Sequence, residues 1–357
     1  MTTESTRNIE EAYNIKVEKV IQCRDGYIVV LYDSTRYLLK PVKEPLERIY
    51  YTYTAEEHLK DNGFDKICFY HKSVYNLPFA RINNTFYTLT PFYQGKEMSF
   101  DNSCELGCAA QMLAEMHTAS KGFTKNKAAS QMVPGFCLIE SIRNDDNRLP
   151  DITVERVMPW IRCTLGQTIG LYTKHLEELK RFKKHAIRNR GIFDLAYLEI
   201  ADYYIDLATQ VVSDLSQPKY TDMVESAKAT GYICHKDYTA HNLVAGPESG
   251  FIQNFDLCGI ELPVYDVSNF LRRKLRKSNW AVQDATFILE KYSAHRPLSY
   301  DDLQMLRLLI MYPQKLWRII NKYYNSKKSW CEKGCLEKLR EIADEREPFE
   351  QILTIFA

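Results

Sequence analysis

A change of rhythm near Gly95 splits the chain into two unequal parts. Before it, β-rich runs dominate. Val17 to Gln22 and Tyr27 to Tyr32 flank a turn at Arg24-Asp25-Gly26, and Asp33-Ser34 turns into Thr35 to Lys40. Residues 46 to 61 form the helix of this part, with Gly63 as its stop signal. Ile67 to Tyr70 is a short β-like run. Phe79 to Ile82 and Thr85 to Thr90 flank Asn83-Asn84 as a hairpin. After Gly95 the apolar spacing lengthens to that of helices, as in Leu106, Ala109, Ala110, Leu113 and Met116 or His117. The pattern predicts an α+β chain with a small β-rich lobe over residues 1–92 and a larger helical lobe over 93–357.

Within the second part, residues 124 to 165 lack clear periodicity and contain Pro134, Pro150 and Pro159, which predicts loops and short helices. Helices are expected over 170–190, where Leu171, His175, Leu176, Leu179 and Phe182 share a side, and over 194–215. A short strand pair near 232–256 interrupts them, and helices then run to the end. Of the 357 residues 45% are hydrophobic and 26% charged, the composition of an ordinary globular protein. The 47 basic and 46 acidic side chains give a net charge of +1, which gives no general support for a nucleic-acid partner. The polar N-terminus carries no secretory signal, and no apolar run approaches the ~20 residues that cross a bilayer. No membrane partner is expected. The ten cysteines are therefore read in a reducing cytoplasm. Cys104 with Cys108, and Cys331 with Cys335, are spaced i, i+4; core packing explains them better than zinc.

The chemistry concentrates in Tyr232 to Asn242, YICHKDYTAHN, and Phe251 to Leu257, FIQNFDL. A β-like stretch feeds a loop with an Asp and, five positions on, an Asn. A second β-like stretch delivers another Asp. Phosphoryl transfer from ATP needs one carboxylate for the attacking hydroxyl, an amide oxygen and a second carboxylate for the metal, and a lysine for the phosphates. Magnesium takes oxygen ligands and keeps several waters, so one Asp and one Asn suffice. Asp237, Asn242, Asp256 and Lys40 fill these roles in the required chain order, with Lys40 on the third predicted strand. Each alone has a plainer reading, as a turn residue, a cap or a solvated lysine.

HKDYTAHNL followed by NFDL resembles the H-x-D-x-x-x-x-N and downstream Asp motifs of the aminoglycoside phosphotransferase and choline kinase superfamily, and LAEMH at 113–117 is similar to its L-a-x-x-H helix. Within it, NFDLCGIELPVYDVSNFLRR and LRLLIMYPQKLWRIINKYYNSKKSW resemble the bacterial spore-coat CotS/CotI family. The resemblance implies a two-lobed protein-kinase-like fold. It implies Mg2+ and ATP as cofactors and an unnamed hydroxyl acceptor, with spore coat proteins as partners. It also implies synthesis in the cytoplasm and a place in the spore coat. It casts Asp237 as the catalytic Asp, Asn242 and Asp256 as metal ligands, and Lys40 as the phosphate lysine. Thr88 to Phe92, and so Thr90 and Phe92, become the hinge that meets adenine. His235 becomes a structural pin, and Asp266 a brace for the loop.

The chain departs from the pattern in three places. Lys236 stands where relatives often carry Gly, only Gly26 sits in the turn before Lys40, and spacing does not choose between Glu56 and Glu57 as the partner of Lys40. The basic runs at 180–190 and 272–277 read as solvated helix faces, with a specific anionic partner as the less common alternative. His241 suits substrate contact or loop packing about equally. His117 reads as a structural histidine, and Tyr312, Trp317, Tyr323 and Tyr324 as helix packing rather than an aromatic cage. Two functions remain open from sequence: an active kinase, and a kinase-fold structural protein of the coat.

Overall fold

The β-rich runs build one antiparallel sheet from β1 (Val17–Cys23), β2 (Gly26–Leu31), β3 (Arg36–Pro41), β4 (Ala80–Ile82) and β5 (Thr85–Pro91), in the order β1-β2-β3-β5-β4. The β4–β5 connection is the expected Asn83-Asn84 turn, with φ of 48° and 66°. Two successive positive φ values suit the twist of a tight hairpin, and Asn tolerates them well. A helix with no counterpart in the sequence reading, α1 (Thr3–Tyr13), lays Ile9 and Tyr13 on Val17, Val29, Leu39, Ala80, Ile82 and Leu89. The computed structural model describes residues 3–93, 95–144, 149–246, 249–325 and 332–356.

Helix α2 (Leu46–Asp61) follows β3 and ends where Gly63 takes a φ of 82°. It is buried almost all round, from Leu46 through Leu59. Helix α3 (Ser103–Ala119) starts at Asn102, whose Oδ1 accepts the amides of Cys104 and Glu105 at 2.9 and 3.2 Å. Contrary to the loops expected there, residues 125–144 form one long helix, α4 (Lys125–Asn144), with Pro134 inside it. Ala128, Ala129, Met132, Phe136 and Ile139 face the core, while Pro134 lies on the exposed side. Tertiary contact outweighs the proline's helix penalty. Gly135 lets α4 close on α2, since a Cβ there would stand 1.9 Å from the Tyr50 ring. The Ile67 to Tyr70 run is not a strand; it makes a single parallel bridge, Ile67 to Ile252.

After α5 (Val154–Val157) the chain forms α6 (Thr168–Asn189), α7 (Ile192–Leu215) and α8 (Pro218–Thr230). The expected strand pair near 232–256 is two short ladders, β6 (Ile233–Cys234) with β9 (Gly259–Ile260), and β7 (Leu243–Ala245) with β8 (Gly250–Ile252). Helices α9 (Val264–Lys277), α10 (Val282–Ser293), α11 (Tyr300–Met311), α12 (Gln314–Asn325), α13 (Glu332–Asp344) and α14 (Arg346–Ile352) complete the chain. The fold divides into two compact units: Met1–Cys163 with Thr230–Glu261, and Thr164–Ala229 with Leu262–Ala357. In the second unit, α12 is stitched to α6 and α7 by stacked rings. The pairs are Tyr312 on Tyr172 at 3.6 Å, Trp317 on His175 at 3.4 Å, Tyr323 on Phe193 at 3.7 Å and Tyr324 on Phe182 at 4.9 Å, with Tyr312 standing just ahead of α12. That aromatic set is therefore helix packing. Among the described residues, no helix is long and apolar enough to cross a membrane.

Candidate functional site

The two short ladders of the first unit each carry a loop. The β6–β7 loop holds Asp237 and Asn242, and the β8–β9 loop holds Asp256. His235, fully buried, pins them together. Its Nε2 lies 3.0 Å from the carbonyl of Gln253, and its Nδ1 accepts the Asp237 amide at 3.2 Å. One tautomer serves both bonds, protonated at Nε2 and bare at Nδ1. Lys236 adopts a φ of 68°, the left-handed region that costs a side chain energy and glycine almost none. The backbone thus explains why this position suits Gly. Lys236 Nζ reaches within 3.9 Å of the buried Glu261 carboxylate. Tyr238 anchors the loop from below through its hydroxyl, which donates to the Ala109 carbonyl at 2.7 Å.

Asn242 is the junction of the two loops. Its Nδ2 donates to Asp237 Oδ2 at 3.0 Å and to the Asp237 carbonyl at 2.8 Å. Its Oδ1 accepts from Asn254 Nδ2 at 2.8 Å, leaving one lone pair on that oxygen. Asn254 takes a left-handed φ of 60° as the chain turns toward Asp256. Arg162 holds the next turn by donating to the Asp256 carbonyl at 2.6 Å. Sequence reasoning missed Asn254 and Arg162; only FIQNFDL itself hinted at the former.

Lys40 meets this loop from the sheet. Its Nζ lies 3.4 Å from Asp256 Oδ2, across 216 positions of sequence. The two side chains are 44% and 46% exposed, so the pair contributes at most about 1 kcal/mol and opens cheaply for a ligand. Register sets Lys40 opposite Thr88 and Leu38 opposite Thr90. Strand alternation buries Leu89 and turns Thr88 and Thr90 to the other face. There a cavity of about 420 Å³ is lined by Lys40, Glu56, Thr88, Thr90, Phe92 and Asp256, among others. Lys40, Thr90, Phe92 and Asp256 are therefore brought together. Asp237 and Asn242 are not in its wall, but Asn254, which bonds Asn242, is. The Phe92 amide donates to the Arg36 carbonyl at 2.9 Å, so a base at this edge would find the Phe92 carbonyl rather than its N–H.

The structure separates the two helix glutamates. Glu57 points away and pairs with Lys72 at 2.8 Å. Glu56 is buried in the cavity wall and accepts the Tyr70 amide at 3.3 Å. Burial, and then the nearby Asp256 charge, hold its carboxyl well above the ordinary range. Cys68, also in the wall, has its thiol pushed up to about 12, by burial first and then by the Glu56 charge, which keeps it in the thiol form. The turn before Lys40 is tight: Cys23 pairs directly with Gly26. A Cβ at Gly26 would stand 2.3 Å from the Leu39 carbonyl oxygen, so this glycine serves close strand approach. Asp25 of that turn also lines the cavity.

His241 is exposed, with Nδ1 2.6 Å from Glu97 Oε2, and His117 is fully buried. Asp266 is buried in the first turn of α9. Cys104 is exposed, Cys108 half-buried and Cys335 buried, while Cys331 lies outside the described residues. The carboxylate of Asp256 and the amide oxygen of Asn242 are hard oxygen donors of the kind a magnesium ion takes, and Lys40 is a cation suited to phosphate.

The family model "Spore coat putative kinase YutH" matches residues 161–356. Spore coat protein S of Bacillus subtilis (strain 168) is 22% identical over 318 residues, covering 87% of this chain and 82% of that protein. Among solved structures, an aminoglycoside phosphotransferase from Alicyclobacillus acidocaldarius superposes with a TM-score of 0.78 at 17% identity, covering 100% of this chain and 95% of the other. The amicoumacin kinase hAmiN, in complex with AMP-PNP, Ca2+ and Ami, gives a TM-score of 0.56 at 14% identity, covering 97% and 95%. At such identities the likeness concerns the fold. It is the two-lobed protein-kinase-like fold of the aminoglycoside phosphotransferase type, with a small β-rich lobe and a larger helical one.

Proposed function

Because the chain belongs to the spore coat putative kinase YutH family, we propose that it is a spore-coat-associated phosphotransferase that moves the terminal phosphoryl group of Mg-ATP to a hydroxyl acceptor. The observation that carries this reading is the 3.4 Å approach of Lys40 to Asp256 at the wall of a cavity of nucleotide size. The likeness to a kinase solved with a nucleotide analogue supports nucleotide binding here. In this reading the small lobe comprises residues 1–92 and the helical lobe 93–357.

Magnesium, when bound, neutralises charge on the phosphates. Asp256 and Asn242 would hold it, with Asn254 keeping the Asn242 oxygen turned the right way. Lys40 exchanges Asp256 for phosphate oxygens. Thr90 and the Phe92 carbonyl meet the base. Asp237 orients the acceptor hydroxyl and takes its proton as the new O–P bond forms and the bond to the departing ADP breaks. Its carboxylate is held for this by Asn242 Nδ2. In this reading Glu56, which shares the cavity wall with Lys40, receives Lys40 once Asp256 turns to the metal.

A second reading, a coat protein that keeps the kinase fold without catalysis, is favoured by one feature. The β1–β2 turn is too short to wrap phosphates, and its acidic Asp25 lines the same cavity. A thermal shift with ATP and magnesium, followed by phosphoryl transfer to a panel of hydroxyl-bearing metabolites and coat proteins, separates them. Stabilisation with transfer supports the enzyme. Transfer to none of them, with altered coats in spores lacking the protein, supports the structural reading.

A further inference from the structure

The second unit contains a cavity of about 430 Å³ that the phosphotransferase reading does not use. Three helices build it. The exposed face of α12 contributes Lys315, Arg318 and Lys322 at i, i+3 and i+7, so all three lie on one side of the helix. The last turn of α9 contributes Arg276, and α13 contributes Lys338 and Glu341. Among the described residues, the wall thus holds five cations and one carboxylate.

The acids near it are largely committed. Lys315 pairs with Glu345 at 2.9 Å and Glu341 at 3.6 Å, and Glu345 also lies 3.4 Å from the Trp280 indole nitrogen. Arg276 is the sharper observation. Its Nε is buried and has no hydrogen-bond partner among the described residues. Burial first, then repulsion from Arg272, Arg318 and Arg273, pull its guanidinium down to about 10, against some relief from Glu345. Arg272 itself donates to neutral acceptors, the Leu309 carbonyl and Asn269 Oδ1, both at 3.1 Å. Burial, then Arg272 and Arg273, also pull Arg318 down. Like charges packed this closely, with cations outnumbering carboxylates in the wall, are costly for the empty protein, and an anion between them lowers that cost.

We propose that this cavity is a binding site for a small ligand carrying adjacent phosphate groups. Several cations on three walls call for several negative charges in a small volume, which phosphates supply most compactly. Two arginine forks match phosphate oxygens in pairs, and the lysines add point charges. The cavity has the size of a small-molecule site rather than a polymer track. The net charge of +1 also argues against a general basic stripe.

The test uses inorganic pyrophosphate as the probe, titrated calorimetrically at physiological ionic strength. The full chain carries Lys40→Ala, so that the proposed nucleotide site cannot hold the probe. Saturable binding in the millimolar range or tighter is expected. In the same chain with Lys322→Gln and Lys338→Gln, two exposed lysines whose loss leaves the core intact, affinity should fall about tenfold or more, the effect of roughly one lost charge-assisted hydrogen bond. Circular dichroism checks that each variant is folded. No saturable binding to the Lys40→Ala chain overturns the proposal, and so does unchanged affinity in the triple variant. Either failure leaves the phosphotransferase reading standing, because the nucleotide cavity takes no part in the measurement.

Discussion

Two cavities of this protein have nearly the same volume, about 420 and 430 Å³, and opposite electrostatics. The one in the first unit sets Lys40 and Lys43 among Asp25, Glu44, Glu56 and Asp256. The one in the second unit sets five cations around Glu341. Size therefore does not distinguish them; charge does. An acidic wall repels phosphate unless a divalent cation comes with it, so the first cavity suits phosphates that arrive with metal. The second suits phosphates without any. Burial tempers the contrast on both sides, raising the carboxyl of Glu56 toward neutrality in one cavity and lowering Arg276 to about 10 in the other, where it still carries its charge at neutral pH.

The largest expected effect would break or secure the catalytic half of this comparison. With an acceptor that supports turnover, Asp237→Asn should lower turnover by about 10²- to 10⁴-fold while ATP affinity is largely kept. Unchanged turnover would remove Asp237 as the base. Next, Mg-ATP at about 100 times its Kd should stabilise the protein by about 2.7 kcal/mol. For a unit of this size that is a rise in melting temperature of roughly 5–10 °C. Asp256→Ala should lose most of that rise, measured by scanning fluorimetry with and without magnesium; retention of the full rise would place the metal elsewhere.

A third, smaller effect has the opposite sign. Arg276→Met replaces a half-buried, crowded cation with an apolar chain of similar length, so it should stabilise the unliganded protein by about 1 kcal/mol while weakening pyrophosphate binding. Urea unfolding of both proteins checks it, and destabilisation would mean that Arg276 is paired in a way its surroundings do not suggest. The smallest effect concerns the ladder that positions the basic wall. Burial lowers the His175 imidazole from its ordinary value near 6.5, with Lys174 adding to the effect and Glu178 opposing it. A lowered folded value means that the unfolded chain binds the proton more readily. Stability from a neutral His175 is therefore present above about pH 6.5 and is lost as pH falls below it. His175→Phe keeps a ring on Trp317 and should flatten the fall in melting temperature between about pH 7 and 5.

Legibility followed how local each signal was. The sheet strands were readable because β-branched and aromatic runs stand between the local turn signals Arg24-Asp25-Gly26, Asp33-Ser34 and Asn83-Asn84. Helix α2 kept its limits, which Pro45 and Gly63 set locally, but hid its faces. It is buried nearly all round, and no periodicity could say that Glu56 turns to the cavity and Glu57 to Lys72. Helix α4 was missed because Pro134 outweighed a spacing of Ala128, Ala129, Met132, Phe136 and Ile139 that was present all along. Helix α1 was missed because Ile9, Ala12 and Tyr13 are few anchors in an otherwise polar segment.

What the sequence determined by itself was the set of parts. The order of Lys40, Asp237, Asn242 and Asp256, the Asn83-Asn84 turn, and the change of period near Gly95 are all local facts. Only the tertiary structure decided which parts meet. Lys40 faces Asp256 because β3 and the β8–β9 loop pack within one unit. Asn254 and Arg162 gained their roles from loops that touch without being neighbours in sequence. The basic cavity shows the same division. The run at 272–277 read as a solvated helix face, and in the fold its members part company: Lys274 is buried and pairs with Asp284 at 3.3 Å, whereas Arg276 turns into a cavity that α12 and α13 close. A charge's sign is written in one residue, but its burial and its neighbours are properties of the packed chain, and those set what it binds.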